Sequence, residues 1–251
     1  YTGQPVPEAS VVVGETTLTT DAAGAFQTPN WKNTDTLAVS APNYAALSLP
    51  LETHPSVVGN EALTVTLSMP LRPNTLSGTI TDRYTGEPVA GAELAVTVDI
   101  STTLTTTTAA DGVYTLTDVP EQFALSVSAP GYAPVEEAIQ RSIAYDLTLR
   151  PNTLSGTIID RYTNQGVAGA VVRVGDLEAR TDAAGAYTLT DVPEGVTAVE
   201  VSADGYAPLT QELGQTTSLD AVLRPDTLVG RLIDQNSGEP IANATVIATT
   251  T

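Results

Sequence analysis

An all-β protein made of tandem β-sandwich modules is expected from three features: its composition, an internal repeat, and the alternation within each copy. The 251 residues include 40 Thr, 19 Gly and 17 Pro at 41% hydrophobic content, letters that favour strands and turns over helices. The run PNTLSGTITDRYTGEPVAGA from Pro73 returns as PNTLSGTIIDRYTNQGVAGA from Pro151, with 16 of 20 letters the same. YTLTDVPE recurs unchanged at Tyr114 and Tyr187, and APGYAP at Ala129 returns as ADGYAP at Ala203 and, more loosely, as APNYAA at Ala41. A further partial copy, PDTLVGRLIDQNSGEPIANA, starts at Pro225. No segment carries a helical period with caps.

The anchor prolines Pro73, Pro151 and Pro225 lie 78 and 74 residues apart, the size of a small autonomous domain rather than a solenoid turn. The expected modules are 73–150 and 151–224, with residues 1–72 as a module lacking its first strand and 225–251 as the first strands of a further one. In the second module the strands are expected near 75–82, 92–99, 101–108, 112–118, 123–129, 133–139 and 143–149. Leu76 and Ile80, Tyr114 and Leu116, Leu125 and Val127, and Tyr145, Leu147 and Leu149 recur at even spacing, which turns each set onto one face. Seven strands with turns at about 8 to 12 residues describe an Ig-like β-sandwich whose inward faces make the core.

The ordered series GTITDRYTGEPVAGAELAV, TAADGVYTLTDVP and LSVSAPGYAP resembles the carboxypeptidase regulatory-like domain. This is a transthyretin-like (prealbumin-like) β-sandwich, found in tandem on secreted and surface proteins of bacteria or archaea. The pattern covers modules two and three. Module one matches from TGQPVPEASVVV, but QTPNWKN replaces the TLTDVP segment after Phe26, and Asn43 stands where the others have Gly. The resemblance implies a non-catalytic accessory or structural module and implies no ligand.

Charge narrows the partners. The formal net charge of −19 arises from 29 Asp plus Glu against 10 basic residues, with Lys32 the sole lysine. Such a surface cannot release counterions from a phosphate backbone, so nucleic acid is a poor partner and an anionic membrane no better. No stretch approaches the roughly 20 apolar residues of a membrane span. Tyr1 opens no signal peptide, so any export signal or anchor is expected outside these residues. The Thr-rich, Lys-poor, acidic balance leans toward the outside of a microbial cell.

Candidate sites are few. Without cysteine there is no disulfide, thiolate nucleophile or Cys-based zinc site. His54 is the single histidine, in a loop expected at the surface, and zinc peptidase chemistry is excluded for want of a second imidazole. Asp21, Asp111 and Asp182 recur before Gly24, Gly112 and Gly185 and are expected to shape Asx-type turns with glycine at positive φ. Asp82, Asp160 and Asp234 follow the first strand, and Asp118 and Asp191 precede Val-Pro. Turn chemistry accounts for all of them, no cofactor is expected, and calcium is the alternative use of such acids. An isopeptide crosslink could involve only Lys32. Thr105, Thr106 and Thr107 in the TTLTTTT run, the TTT at Thr249 and the sequon at Asn243 are candidate glycan acceptors, while Thr also suits an exposed strand face. Tyr44, Tyr132 and Tyr206 share one phase and are expected to anchor packing. Trp31, outside the repeat, is the best single candidate for a specific contact, and is expected to be buried or at a module junction.

The joints LRPNT and LRPDT carry the functional expectation. Proline fixes its own φ and extends the residue before it, so the joints are short and stiff. Three modules of about 30 to 40 Å each would make an elongated rod of order 100 Å. Tyr1 has the phase of Tyr84, Tyr162 and Asn236, so module one lacks the GTITD strand and the tail supplies one with no sandwich to join. Either the chain continues through many modules, or the tail of one copy completes the head of the next by strand addition. Because residues 236–251 repeat the phase of 1–16 and would compete with them, continuation is favoured. The expectation is an extracellular, non-enzymatic stalk or filament whose partners are other copies or further modules; the alternative is a carbohydrate-binding or adhesin module.

Overall fold

The computed structural model describes residues 3–57, 65–99, 101–140 and 143–247. Tyr1 and Thr249, singled out above, lie outside them. The chain divides into two compact units, Tyr1–Pro151 and Asn152–Thr251. Among the described residues every extended element is a β-strand, and a single 3-10 turn at Leu51–Thr53 is the only helical piece.

The first unit opens with β1 (Ser10–Val13), β2 (Thr16–Thr19), β3 (Thr36–Ser40) and β4 (Leu47–Pro50), paired antiparallel in the order β2-β1-β3-β4. It continues with β5 (Leu76–Asp82), β6 (Glu93–Thr97), β7 (Thr103–Thr107), β8 (Val113–Leu116), β9 (Gln122–Ser128), β10 (Val135–Gln140) and β11 (Leu147–Leu149). These seven form a four-stranded sheet, β10-β9-β6-β7, and a three-stranded sheet, β11-β5-β8. In the smaller sheet β5 is central, antiparallel to β8 and parallel to β11.

The second unit holds β12 (Leu154–Asp160), β13 (Val171–Val174), β14 (Leu177–Arg180), β15 (Ala186–Leu189), β16 (Ala198–Ser202), β17 (Leu209–Glu212) and β18 (Ala221–Leu223). Its sheets, β14-β13-β16-β17 and β15-β12-β18, repeat the topology of the preceding seven strands. The fold is all-β sandwich, with seven strands in each of these two sets.

Alternation builds both cores. Leu76, Ile80, Leu94, Val96, Leu125, Val127 and Leu149 are buried in one, and Leu154, Ile158, Val172, Val174, Val199, Val201 and Leu223 in the other. Each such side chain contributes about 1.5 to 3 kcal/mol by leaving water. The expected 143–149 strand pairs with β5 in two pieces, an Ala144–Ser77 bridge and β11 at Leu147–Leu149, and the reason for the break between them is local. The Thr79 N–H bonds the Asp146 carboxylate at 2.8 Å instead of a backbone carbonyl, and the Tyr145 carbonyl accepts the Tyr114 hydroxyl at 2.6 Å. The same substitution recurs with Thr157 and Asp220, and with Tyr187 and Leu219.

Within the first unit the chain between the two strand sets is clamped rather than loose. Tyr44 bridges Pro73, with the Ala45 N–H donating to the Arg72 carbonyl at 2.8 Å and the Asn74 N–H to the Asn43 carbonyl at 3.0 Å. Tyr206 bridges Pro225 in the same way within the second unit. Beyond Pro225, residues 227–232 form no strand.

Candidate functional site

The four strands β1–β4 correspond in order and pairing to β6, β7, β9 and β10, and to β13, β14, β16 and β17. What the other two sets add is a three-stranded sheet, and no described strand of the first set makes one. Its middle strand holds both neighbours by backbone hydrogen bonds, so without that strand neither neighbour has a ladder. Residues 24–28, at the phase of β8, and 65–71, at the phase of β11, accordingly carry no strand. Val65, Leu67 and Met69 are nonetheless half-buried and alternate with exposed Thr66, Ser68 and Pro70, as a strand's residues would.

The result is an open groove of about 1420 Å³ over the inner face of the β2-β1-β3-β4 sheet. Val11, Val13, Leu37 and Val39 of the sheet line it together with Phe26, Trp31, Leu67 and Met69, and Tyr44 also lines it. None of the described lining residues is Asp, Glu, Lys, Arg or His. No carboxylate, imidazole or amine therefore stands in the described lining to act as a general acid or base or as a charged cation ligand.

The acids take up turn duties. Asp21 accepts the N–H of Ala23 and Ala25 at 2.9 Å, Asp182 those of Ala184 and Ala186 at 2.9 Å, and Asp111 that of Val113 at 3.1 Å. Gly24, Gly112 and Gly185 follow with φ of 70°, 74° and 79°. Asp118 and Asp191 themselves adopt φ of 62° and 58°, each receiving an amide hydrogen bond, from Asn74 and Asn152 respectively. Among the described residues no three acidic or imidazole side chains gather where a metal ion could sit.

Asp82 does more than turn the chain. One oxygen accepts the Tyr84 and Thr85 N–H groups at 2.7 and 2.9 Å, and the other accepts the Tyr132 hydroxyl at 2.9 Å. Burial pushes this carboxyl up, but the hydrogen bonds outweigh it and the net pKa is lowered. Burial together with the bond to Asp82 raises the Tyr132 phenol to about 12. Asp160 and Tyr206 repeat the arrangement at 2.9 Å. The sequence places Tyr132 and Tyr206 as packing anchors; each is half-buried against its core and also ties the end of the central strand to the turn after β9 or β16. The pairing escaped sequence reasoning because the partners lie 50 and 46 residues apart. The available signal was their shared phase. Tyr44 has no such acid among the described residues of its own set, and Asp234, capping Asn236 and Ser237 N–H, has no such tyrosine.

Three buried threonines were also missed. Thr20, Thr108 and Thr181 each donate a hydroxyl hydrogen bond to the carbonyl of Val6, Val89 or Val167, and accept the N–H of Ala9, Ala92 or Ala170. They fasten the strand-entry turn in all three sets.

The remaining candidates sit at the surface or against the core. His54 is half-exposed, its Nδ1 accepting the Ser56 N–H at 3.2 Å. Lys32 is exposed. Trp31 is half-buried against the first core. Thr105 and Thr107 point outward from edge strand β7 while Thr106 is half-buried, and Asn243 is exposed in a turn at φ 58°.

A sequence profile described as the carboxypeptidase regulatory-like domain matches residues 75–150 and 153–224. No curated protein gives a match. Similar solved structures include the Bacillus anthracis TIE protein, at 14% identity and a TM-score of 0.32, covering 90% of this chain and 49% of that one. The chain thus spans about half of that relative's length. The shaft pilin SpaA of Lactobacillus rhamnosus GG aligns at 13% identity and a TM-score of 0.29, covering 62% of this chain and 99% of the pilin. A minor pilin of Streptococcus agalactiae aligns at 11% identity and a TM-score of 0.29, covering 64% of this chain and all of that one (100%).

Proposed function

The chain belongs to the carboxypeptidase regulatory-like domain family, and on that premise we propose that it is a non-enzymatic structural segment of an extracellular filament or cell-surface stalk. The autonomous modules in this reading are 73–150 and 151–224, preceded by a module at 1–72 and followed by the opening of another at 225–251. The observation that carries it is the clamped joint. Tyr44 bridging Pro73 and Tyr206 bridging Pro225 leave no free linker where one strand set ends and the next segment begins. A stiff joint repeated along a chain favours reach over independent motion. The described lining of the large groove holds no Asp, Glu, Lys, Arg or His side chain, which supports a non-catalytic role.

Further modules of the same chain, or other copies of it, are the partners in this reading. Exposure of Thr105, Thr107 and Asn243 supports glycan attachment, which an intact mass above the 25.9 kDa of the sequence would register. Electron microscopy of material from the native source tests the main claim: filaments or stalks with axial repetition are expected, and compact isolated particles would overturn it.

A further inference from the structure

We infer that strand β7 joins two copies of this chain side by side, each copy's β7 pairing antiparallel with the other's about Thr105. This goes beyond the stalk reading and does not depend on it. β7 (TLTTT) is an edge strand, hydrogen-bonded to β6 alone among the described strands. The Thr108 N–H donates to the Ala92 carbonyl at 3.0 Å and the Thr102 carbonyl accepts the Val98 N–H at 2.9 Å, so the even-numbered residues face β6. By the alternation of an antiparallel ladder, Thr103, Thr105 and Thr107 turn their N–H and C=O groups outward. All three are exposed.

Native sheets blunt such an edge with charge, with proline or by keeping it short. Of the edges of the four-stranded sheets, β10 carries Glu136 and Glu137, β14 carries Glu178 and Arg180, β17 carries Glu212, and β4 ends in Pro50. Only β2 and β7 are left, and β7 is the longer, five residues against four. Thr105 lies opposite Ala95, and at the same place the third set holds Glu178 opposite Arg173, ion-paired at 2.7 Å. The fold accepts a charge at this position, and β7 does without one.

Charge also names the occupant. Each copy carries a net −19, so a second copy can lie flush only along a strand free of carboxylates. β7 meets that condition and is complementary to itself. About a twofold axis at Thr105, Thr103 of each copy stands opposite Thr107 of the other, and Leu104 opposite Thr106. Threonine pairs across strands are favourable, and Leu104, half-buried against its own core, gains further cover. Two four-stranded sheets become one of eight strands through a closed, isologous contact. The new hydrogen bonds lie in the plane of the sheet, so the Thr105 and Thr107 hydroxyls stay on its outer face. Asp99 and Asp111, in the turns that flank the strand, oppose the approach by like charge, so added salt tightens the pairing.

Sedimentation of the full chain over a wide range of concentrations, in low and in high salt, tests this. Self-association that salt strengthens is expected, and Thr105→Pro should weaken it by roughly tenfold or more. Proline there removes only an outward N–H, which an edge strand tolerates. Thr105→Glu copies the charge that β14 carries at Glu178 and should weaken association likewise, with circular dichroism and melting temperature unchanged. The chain has no cysteine, so Thr105→Cys chains should link to one another through a short bis-maleimide, and Glu137→Cys chains, altered on edge β10, should not. A chain that stays monomeric, association that both Thr105 variants leave unchanged, Thr105→Cys chains that do not link, or Glu137→Cys chains that link as well would each overturn the inference. None of these outcomes bears on the stalk, which electron microscopy reads separately.

Discussion

Glycine 78 and glycine 230 share a phase and differ in what surrounds them, so one substitution at two positions separates packing from intrinsic propensity. A Cβ on Gly78 meets the Tyr145 carbonyl oxygen, whereas one on Gly230 meets nothing. Gly78→Ala is expected to lower stability by about 2 to 3 kcal/mol, since backbone must move to admit the methyl. Gly230→Ala should stay within about 0.5 kcal/mol of the parent, as open surface positions do. Urea denaturation of both variants reads the contrast, and equal losses would contradict it. Tyr132→Phe probes the neighbouring tie: losing the hydroxyl bond to the Asp82 carboxylate should cost about 1 kcal/mol. It should also shift the acid-unfolding midpoint to higher pH. Residue type and phase made the Asx turns at Asp21, Asp111 and Asp182 legible in the sequence, because each involves partners a few residues away. The Asp82–Tyr132 tie was not legible, because only the folded sheet brings residues 50 apart together.

Strands of the second and third sets were legible because each presents one apolar face at even spacing, and Leu125 with Val127 or Tyr114 with Leu116 needs no tertiary information to be paired with that face. Their order in the sheets was not legible. Alternation reports which face is buried but not which neighbour a strand has. Only the topology β11-β5-β8 shows that the first strand of the second set is the middle one, holding two ladders rather than one edge. The buried threonines act at the same scale. Thr181 joins the end of β14 to the turn before β13, donating to the Val167 carbonyl and accepting the Ala170 N–H at 2.8 Å. Thr181→Val keeps the shape and leaves both backbone groups buried without a partner. A loss of about 2 kcal/mol is expected, measured by urea denaturation of the full chain, with Thr210→Val on strand β17, exposed at its surface, as the control that should change little.

Across the molecule the same hydrogen bonds set the range of pH over which the fold holds. Asp82 has a lowered pKa, burial opposing and the bonds from Thr85, Tyr84 and Tyr132 prevailing. Asp160 is lowered chiefly by the Thr163 N–H, and Asp146 and Asp220 by the hydroxyl and N–H of Thr79 and Thr157. A carboxyl whose folded pKa lies below its ordinary 3.8 stabilises the fold above that value, and the contribution is lost as pH falls from there through the folded pKa. Tyrosines bound the other side. Burial raises Tyr114 and Tyr187 to about 12, with the Asp146 and Asp220 charges adding to it, and Tyr132 also rises to about 12. A phenol whose folded pKa lies above its ordinary 10.0 contributes fully below pH 10, and the contribution is lost as pH rises from 10 through about 12. Thermal melts across pH should therefore fall away below about pH 3.8 and again above pH 10. Between these limits the net charge of −19 works against compactness, so added salt should raise the melting temperature at pH 7 by screening that repulsion. The acid limb should be the sharper, since four ties in two repeated sets weaken together. Tyr132→Phe should soften it by removing one of them, and an acid limb unchanged in that variant would show that the hydroxyl bond to Asp82 does not hold the carboxylate down.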